Sequence, residues 1–245
     1  MCNTLMSEIA QPKHGITHAN LRGTASAAKG VFRFSVVYFL CALVLNILVS
    51  PFADQFEDGF LVETSLMTLV FLAALLAIGG RLRTAVGIVL VAPALVGEWL
   101  NYWRPELPFS AIIRGSGLLF IGYVVVQFLR FILRAPRVDF AVLCAGIATY
   151  LMLGLLWSFA YSLVDRLAPD SFAFSVGPAS SHTLKGFNAL YFSFTTLSTV
   201  GYGDIIPVSG IARMLAMTEA VAGMFYVSVL IARLVSIYSS NQAGG

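Results

Sequence analysis

Long apolar runs separated by short polar breaks dominate the chain. They cover positions 31–50, 60–79, 84–102, 115–133, 140–164 and 211–238, each near or above the roughly 20 residues a helix needs to cross the hydrocarbon of a bilayer. Six membrane-crossing helices are predicted. A seventh apolar segment, "GFNALYFSFTTL" at 186–197, is long enough to enter a membrane and too short to leave it on the other side. Directly after it stand Ser198, Thr199, Val200, Gly201, Tyr202, Gly203 and Asp204. A helix that stops at such a depth leaves its last carbonyls without partners, and irregular backbone survives there only when buried in protein or lining a water-filled cavity. These residues are therefore predicted to face something polar.

Composition strengthens this picture. With 58% hydrophobic and 11% charged residues, the chain lies far from a soluble domain, whose charged fraction is about 25%. The fold class is an all-α membrane protein with six transmembrane helices and one re-entrant half-helix. The first apolar run is too long for a signal-peptide core and follows a polar stretch, so it is expected to be a retained helix. Of the 15 Lys and Arg, only Arg104, Arg114, Arg166, Lys185 and Arg213 fall on the side opposite the N-terminus. The positive-inside rule then puts both termini in the cytoplasm of a multi-pass cell-membrane protein. The net charge of +3 is spread over helix ends, which argues against a nucleic-acid partner. Cys2, Cys41, Cys144, His14, His18 and His182 show no metal-ligand spacing.

Positions 165–185 carry Pro169, Gly177 and Pro178 and read as an exposed outer loop. Beyond it, the order apolar run, half-helix, "TVGYGD", apolar run resembles the pore module of potassium channels, in particular prokaryotic channels with six helices and one pore loop per subunit. The resemblance rests on specific motifs over 140–238 and on span count alone before that. It implies a homotetramer in which carbonyl oxygens of Thr199, Val200, Gly201 and Tyr202, with the Thr199 hydroxyl, replace the water around a permeating K+. No cofactor is implied beyond that ion, and membrane lipid is the surrounding partner. Gly201 and Gly203 accept the left-handed backbone angles such a filter requires.

By the same resemblance, Tyr202 wedges against Tyr191 and Phe192 and Asp204 hydrogen-bonds behind the filter. Some potassium channels brace the filter with a carboxylate on the half-helix, where this chain has Thr195. Glu219, the one acid deep in the sixth span, is expected to replace that brace by reaching Ser193, Thr195, Thr196 or Ser198; a carboxylate lining the inner cavity and a merely structural residue are the rivals. Gly223 matches the glycine of the inner helix and reads equally as a gating hinge or as a packing glycine. Tyr226, Val227 and Leu230 are possible cavity walls.

The expected organisation is a polar cytoplasmic tail at 1–30, a four-helix voltage-sensor-like domain at 31–134, a pore domain at 135–238 and a short tail at 239–245, with no attached soluble domain. Voltage-gated relatives carry a basic residue at every third position of the fourth span. Here "GSGLLFIGYVVVQFL" at 115–129 is uncharged, and Arg130, Arg134 and Arg137 cluster at its end, so strong voltage gating is not expected. "GYGD" also fits the G-x-G-D pattern of intramembrane aspartyl proteases. Such an enzyme needs a second intramembrane aspartate, whereas Asp54, Asp58, Asp139, Asp165 and Asp170 all lie in loops or at span ends. A potassium-uptake transporter subunit resembles four such modules in one chain, and only one filter is present.

Overall fold

The computed structural model describes residues 35–53, 59–103, 110–137, 139–175 and 183–242. The tail at 1–30, Asp54, Asp58, Arg104 and His182 lie outside them. The helices are α1 (Ser35–Ala53), α2 (Gly59–Ile78), α3 (Arg81–Trp103), α4 (Ser110–Arg134), α5 (Phe140–Leu167), α6 (Gly186–Leu197) and α7 (Gly210–Gln242). Among the described residues, six of these (all except α6) are long and apolar enough to cross a membrane. α6 coincides with the predicted half-helix.

The main core runs through α1 to α5. Phe39, Leu43, Val70, Phe71, Phe120, Ile121 and Val124 are fully buried within it, and Phe71 meets Phe120 edge-on at 5.2 Å. On α4 the buried positions are Phe120, Ile121, Val124, Val125, Phe128 and Ile132, the spacing of a single helix face. Uncharged side chains thus fill the face on which a voltage sensor would need its cations, while Arg130 and Arg134 are exposed. α5 starts promptly after α4 because the Asp139 carboxylate accepts the Val142 amide at 3.0 Å as an N-cap. The connection at 135–139 leaves no room for a separate coupling helix.

A second core lies at the filter end, where Tyr161 of α5, Phe172, Leu184, Ala189 and Phe192 of α6, Ile205 and Ala212 of α7 converge. It includes an antiparallel pair, β1 (Phe172–Phe174) with β2 (Ile205–Pro207), in the register Phe172 to Pro207 and Phe174 to Ile205. Part of the expected outer loop is therefore a strand. The pairing fastens the segment after the filter to the segment after α5, and Ser175 continues it by donating its amide to the Asp204 carbonyl at 2.8 Å.

Candidate functional site: the filter loop and its buried brace

The end of α6 is closed by the loop that follows it. Ser198 donates its amide to Phe194 O, Thr199 to Thr196 O, and Val200 and Gly201 both donate to Thr195 O at 2.9 and 3.1 Å. The carbonyls expected to lack partners are thus mostly taken up by filter amides, which clamp the filter to the helix. Thr199 follows the C-terminal residue Ser198 with φ 60°, the left-handed position that ends many helices and that glycine usually occupies. A β-branched residue there is strained and persists only where its surroundings hold it. Gly201 and Gly203 follow at φ 52° and 79°, so left-handed residues alternate with Val200 and Tyr202. Val200 is 54% and Tyr202 71% exposed in the single chain.

Behind the loop, the rings of Tyr191 and Tyr202 stack at 6.3 Å and 4°, and the Asp204 carboxylate accepts the Ile205 amide at 3.1 Å. Phe192 is elsewhere: it packs edge-on against Tyr161 at 4.8 Å and Phe172 at 5.5 Å, on the face of α6 turned to α5. Successive residues of a helix point about 100° apart, so Tyr191 and Phe192 cannot share one neighbour. Thr195 donates its hydroxyl to Phe192 O at 3.0 Å and does not reach Glu219.

Glu219 is fully buried. Its Oε1 accepts the Ser193 hydroxyl and its Oε2 the Tyr161 hydroxyl, each at 2.5 Å, and Ser193 also meets Gly154 O at 2.8 Å. One carboxyl group therefore ties α7 to α6 and α5. Complete burial removes it from any cavity lining, and Tyr161 is a partner the sequence reading missed. The only local signal for Tyr161 is a polar-tipped aromatic inside a membrane span, which usually has a partner for its hydroxyl.

One turn further along α7, a Cβ at Gly223 would lie 2.2 Å from Leu197 O and 3.1 Å from the Leu197 carbonyl carbon. Backbone, not a flexible side chain, occupies that space. Gly223→Ala is therefore expected to lower the melting temperature of the purified protein, with a cost at or above the ~1–3 kcal/mol of ordinary overpacking; an unchanged melting curve would show that α6 and α7 are not in contact there. Two of the three possible cavity walls also face α5: Tyr226 donates to Gly146 O at 2.6 Å, and a Cβ at Gly146 would sit 3.3 Å from Leu230 Cδ2. Val227 remains 41% exposed.

Among the described residues, no group of three or more His, Cys, Asp or Glu could hold a metal. Asp139 is a helix cap and Asp165 accepts the Leu184 amide, so neither pairs with Asp204 as a protease would require.

A re-entrant helix, a glycine-bearing loop at its tip and a long helix packed behind it form the architecture of an ion-conducting pore. Residues 140–240 match the ion channel family. The chain is 26% identical over 229 residues to the voltage-gated potassium channel Kch of Escherichia coli, covering 88% of this chain and 48% of that protein. It is 44% identical over 64 residues to two-pore potassium channel 1 of Arabidopsis thaliana, covering 26% of this chain and 18% of the relative. It is 42% identical over 48 residues to the calcium-gated potassium channel TvoK of Thermoplasma volcanium, covering 20% and 14%. The chain thus spans about half the length of the first of these and less of the others. No solved structure matches it. The protein is a multi-pass membrane protein with a channel-type pore region, and these relatives are named as potassium channels.

Proposed function

We propose that the protein is a potassium-selective channel in which four copies surround one pore and conduct K+ passively across a cell membrane, both termini being cytoplasmic. The observation that carries this reading is the loop Thr199–Gly203, with left-handed residues at 199, 201 and 203, clamped to the carbonyl end of a half-helix. Thr199, Val200, Gly201 and Tyr202 supply the ion-coordinating oxygens, and Gly203 lets the loop leave the filter. The half-helix directs its negative end at the place where a dehydrating cation waits. Tyr191 and Asp204 hold the loop from behind, and Glu219, through Ser193, holds the half-helix. Gly223 acts here as the packing glycine that lets α7 lie against the end of α6. Residues 31–134 form a sensor-like domain and residues 135–238 the pore domain.

The test is ion flux from liposomes containing the full chain. Potassium is expected to exceed sodium strongly, and barium, similar in size and doubly charged, to block. Equal fluxes of the two ions would overturn the assignment.

Voltage should matter little. One elementary charge moved through 100 mV is worth ~2.3 kcal/mol, equivalent to about fiftyfold in an open-closed ratio, and the buried face of α4 holds no such charge. Open probability in planar bilayers is expected to stay nearly flat between negative and positive potentials. A steep curve that loses slope in Arg130→Gln would show that the exposed cationic end of α4 senses the field.

A further inference from the structure

The short sheet at the filter end extends, as a hydrogen-bonded ladder, beyond its two strands. β1 and β2 pair from Phe172 with Pro207 to Phe174 with Ile205, and backbone bonds carry the same register one residue past each end: Val208 donates its amide to Ser171 O and Ser175 its amide to Asp204 O, both at 2.8 Å. The near end is firmly held. Ser171 is 1% exposed and donates its hydroxyl to Ala168 O at 2.6 Å, directly after α5, while Phe172 packs edge-on against Tyr161 and Phe192 in the second core. The far end therefore has a set position, and Ser175 stands there.

The Ser175 hydroxyl lies 3.3 Å from Gly203 O and 3.1 Å from Asp204 O, one donor proton shared by the two carbonyls that follow Tyr202. Gly203 needs such a restraint. At φ 79°, with nothing within 4 Å of where a Cβ would be in the single chain, it takes its angle unaided and can leave it as readily. The peptide that bears Gly203 O adjoins the one that bears Tyr202 O, so a turn at this joint reorients the last oxygen presented to an ion. We propose that Ser175 is a positioning residue of the filter: by holding the Gly203 and Asp204 carbonyls against the β1–β2 ladder, it fixes the direction of the Tyr202 carbonyl at the outer end of the ion path. This rests on the channel reading of the preceding section.

The restraint matters most when ions are scarce. Carbonyl oxygens gathered around one axis repel one another, and a resident cation that they coordinate offsets the repulsion. With the outermost position empty, only the protein keeps that ring in place. Ser175 is exposed in the single chain, so removing its hydroxyl opens no cavity, and the backbone bonds of the ladder do not depend on the side chain.

The test compares the full chain with Ser175→Ala and with Ser175→Thr, which keeps the hydroxyl, in planar bilayers while outer potassium is lowered stepwise. At low outer potassium the current through Ser175→Ala is expected to decay about two- to tenfold faster than that of the wild type, the range that one ordinary net hydrogen bond spans. The difference should close as outer potassium is raised, Ser175→Thr should restore the wild-type rate, and the melting temperature should stay near that of the wild type in both variants. A decay rate unchanged in Ser175→Ala at every potassium concentration would overturn the proposal, as would equal acceleration in Ser175→Thr. So would a loss of current that is independent of outer potassium and accompanies a lowered melting temperature, the mark of a merely structural residue. Selective potassium current in the wild type separates these failures from failure of the channel reading, which would show as wild-type protein without such a current and would overturn both.

Discussion

Gly201→Ala is expected to abolish potassium flux while leaving a folded, assembled protein. Gly201 stands at φ 52° with nothing within 4 Å of where a Cβ would be, so in the chain itself the obstacle is conformational and not a clash. A left-handed angle costs an ordinary L-residue about 1–2 kcal/mol, and in the proposed tetramer four copies multiply this to about 4–8 kcal/mol. The loop avoids the cost by leaving the left-handed region, and a carbonyl that turns away takes one ring of oxygens out of the pathway. Because the amide of Gly201 also donates to Thr195 O, the change loosens the clamp on the half-helix. The measurement is liposome flux alongside size-exclusion chromatography. Undiminished flux from a protein eluting at the wild-type position would show that these carbonyls do not face the ion.

Glu219→Ala should be the most damaging substitution to stability. It removes the acceptor of two buried hydroxyls and leaves a void where a fully buried side chain stood, with a combined cost on the order of 3–5 kcal/mol. Loss of expression or a large fall in melting temperature is the expected result. Glu219→Gln keeps one acceptor and should fold, shifting filter stability and pH response while the unitary current stays nearly unaltered, because the side chain is fully buried between helices. A large drop in unitary outward current at unchanged open probability would instead place Glu219 in the conduction pathway. The link to Tyr161 is tested separately with a double-mutant cycle: Tyr161→Phe and Glu219→Gln should be non-additive by about 0.5–3 kcal/mol, and strict additivity would mean that the two groups do not interact.

Some departures from sequence-based expectation share one feature. The strand pair β1–β2 joins residues more than thirty positions apart, and neither "FAF" nor "IIP" is long enough to announce a strand by alternation. Thr199 in a left-handed conformation runs against residue preference, and only the amides clamped at the end of α6 make it tenable. Each is a local choice overruled by a contact with another element.

What the chain determined by itself is what depends on length, chemistry and adjacency. Crossing a hydrocarbon layer requires a run of about 20 apolar residues, and α6 is marked as a half-helix by being too short. The glycines of "TVGYG" are equally local, since Gly201 and Gly203 take positive φ without help from any other element. Facing is different. In water an amphipathic stripe reveals which side of a helix is buried, but lipid is as apolar as a protein interior, so spans hydrophobic all round carry little record of their rotation. Only the tertiary structure decided that Tyr226 and Leu230 turn to α5, that Phe192 leaves Tyr202 for Tyr161, and that Gly223 lies against the Leu197 carbonyl. It also chose Tyr161, 58 positions away, as the second partner of Glu219, because a buried carboxyl group must take its hydrogen bonds from whichever helices pack around it.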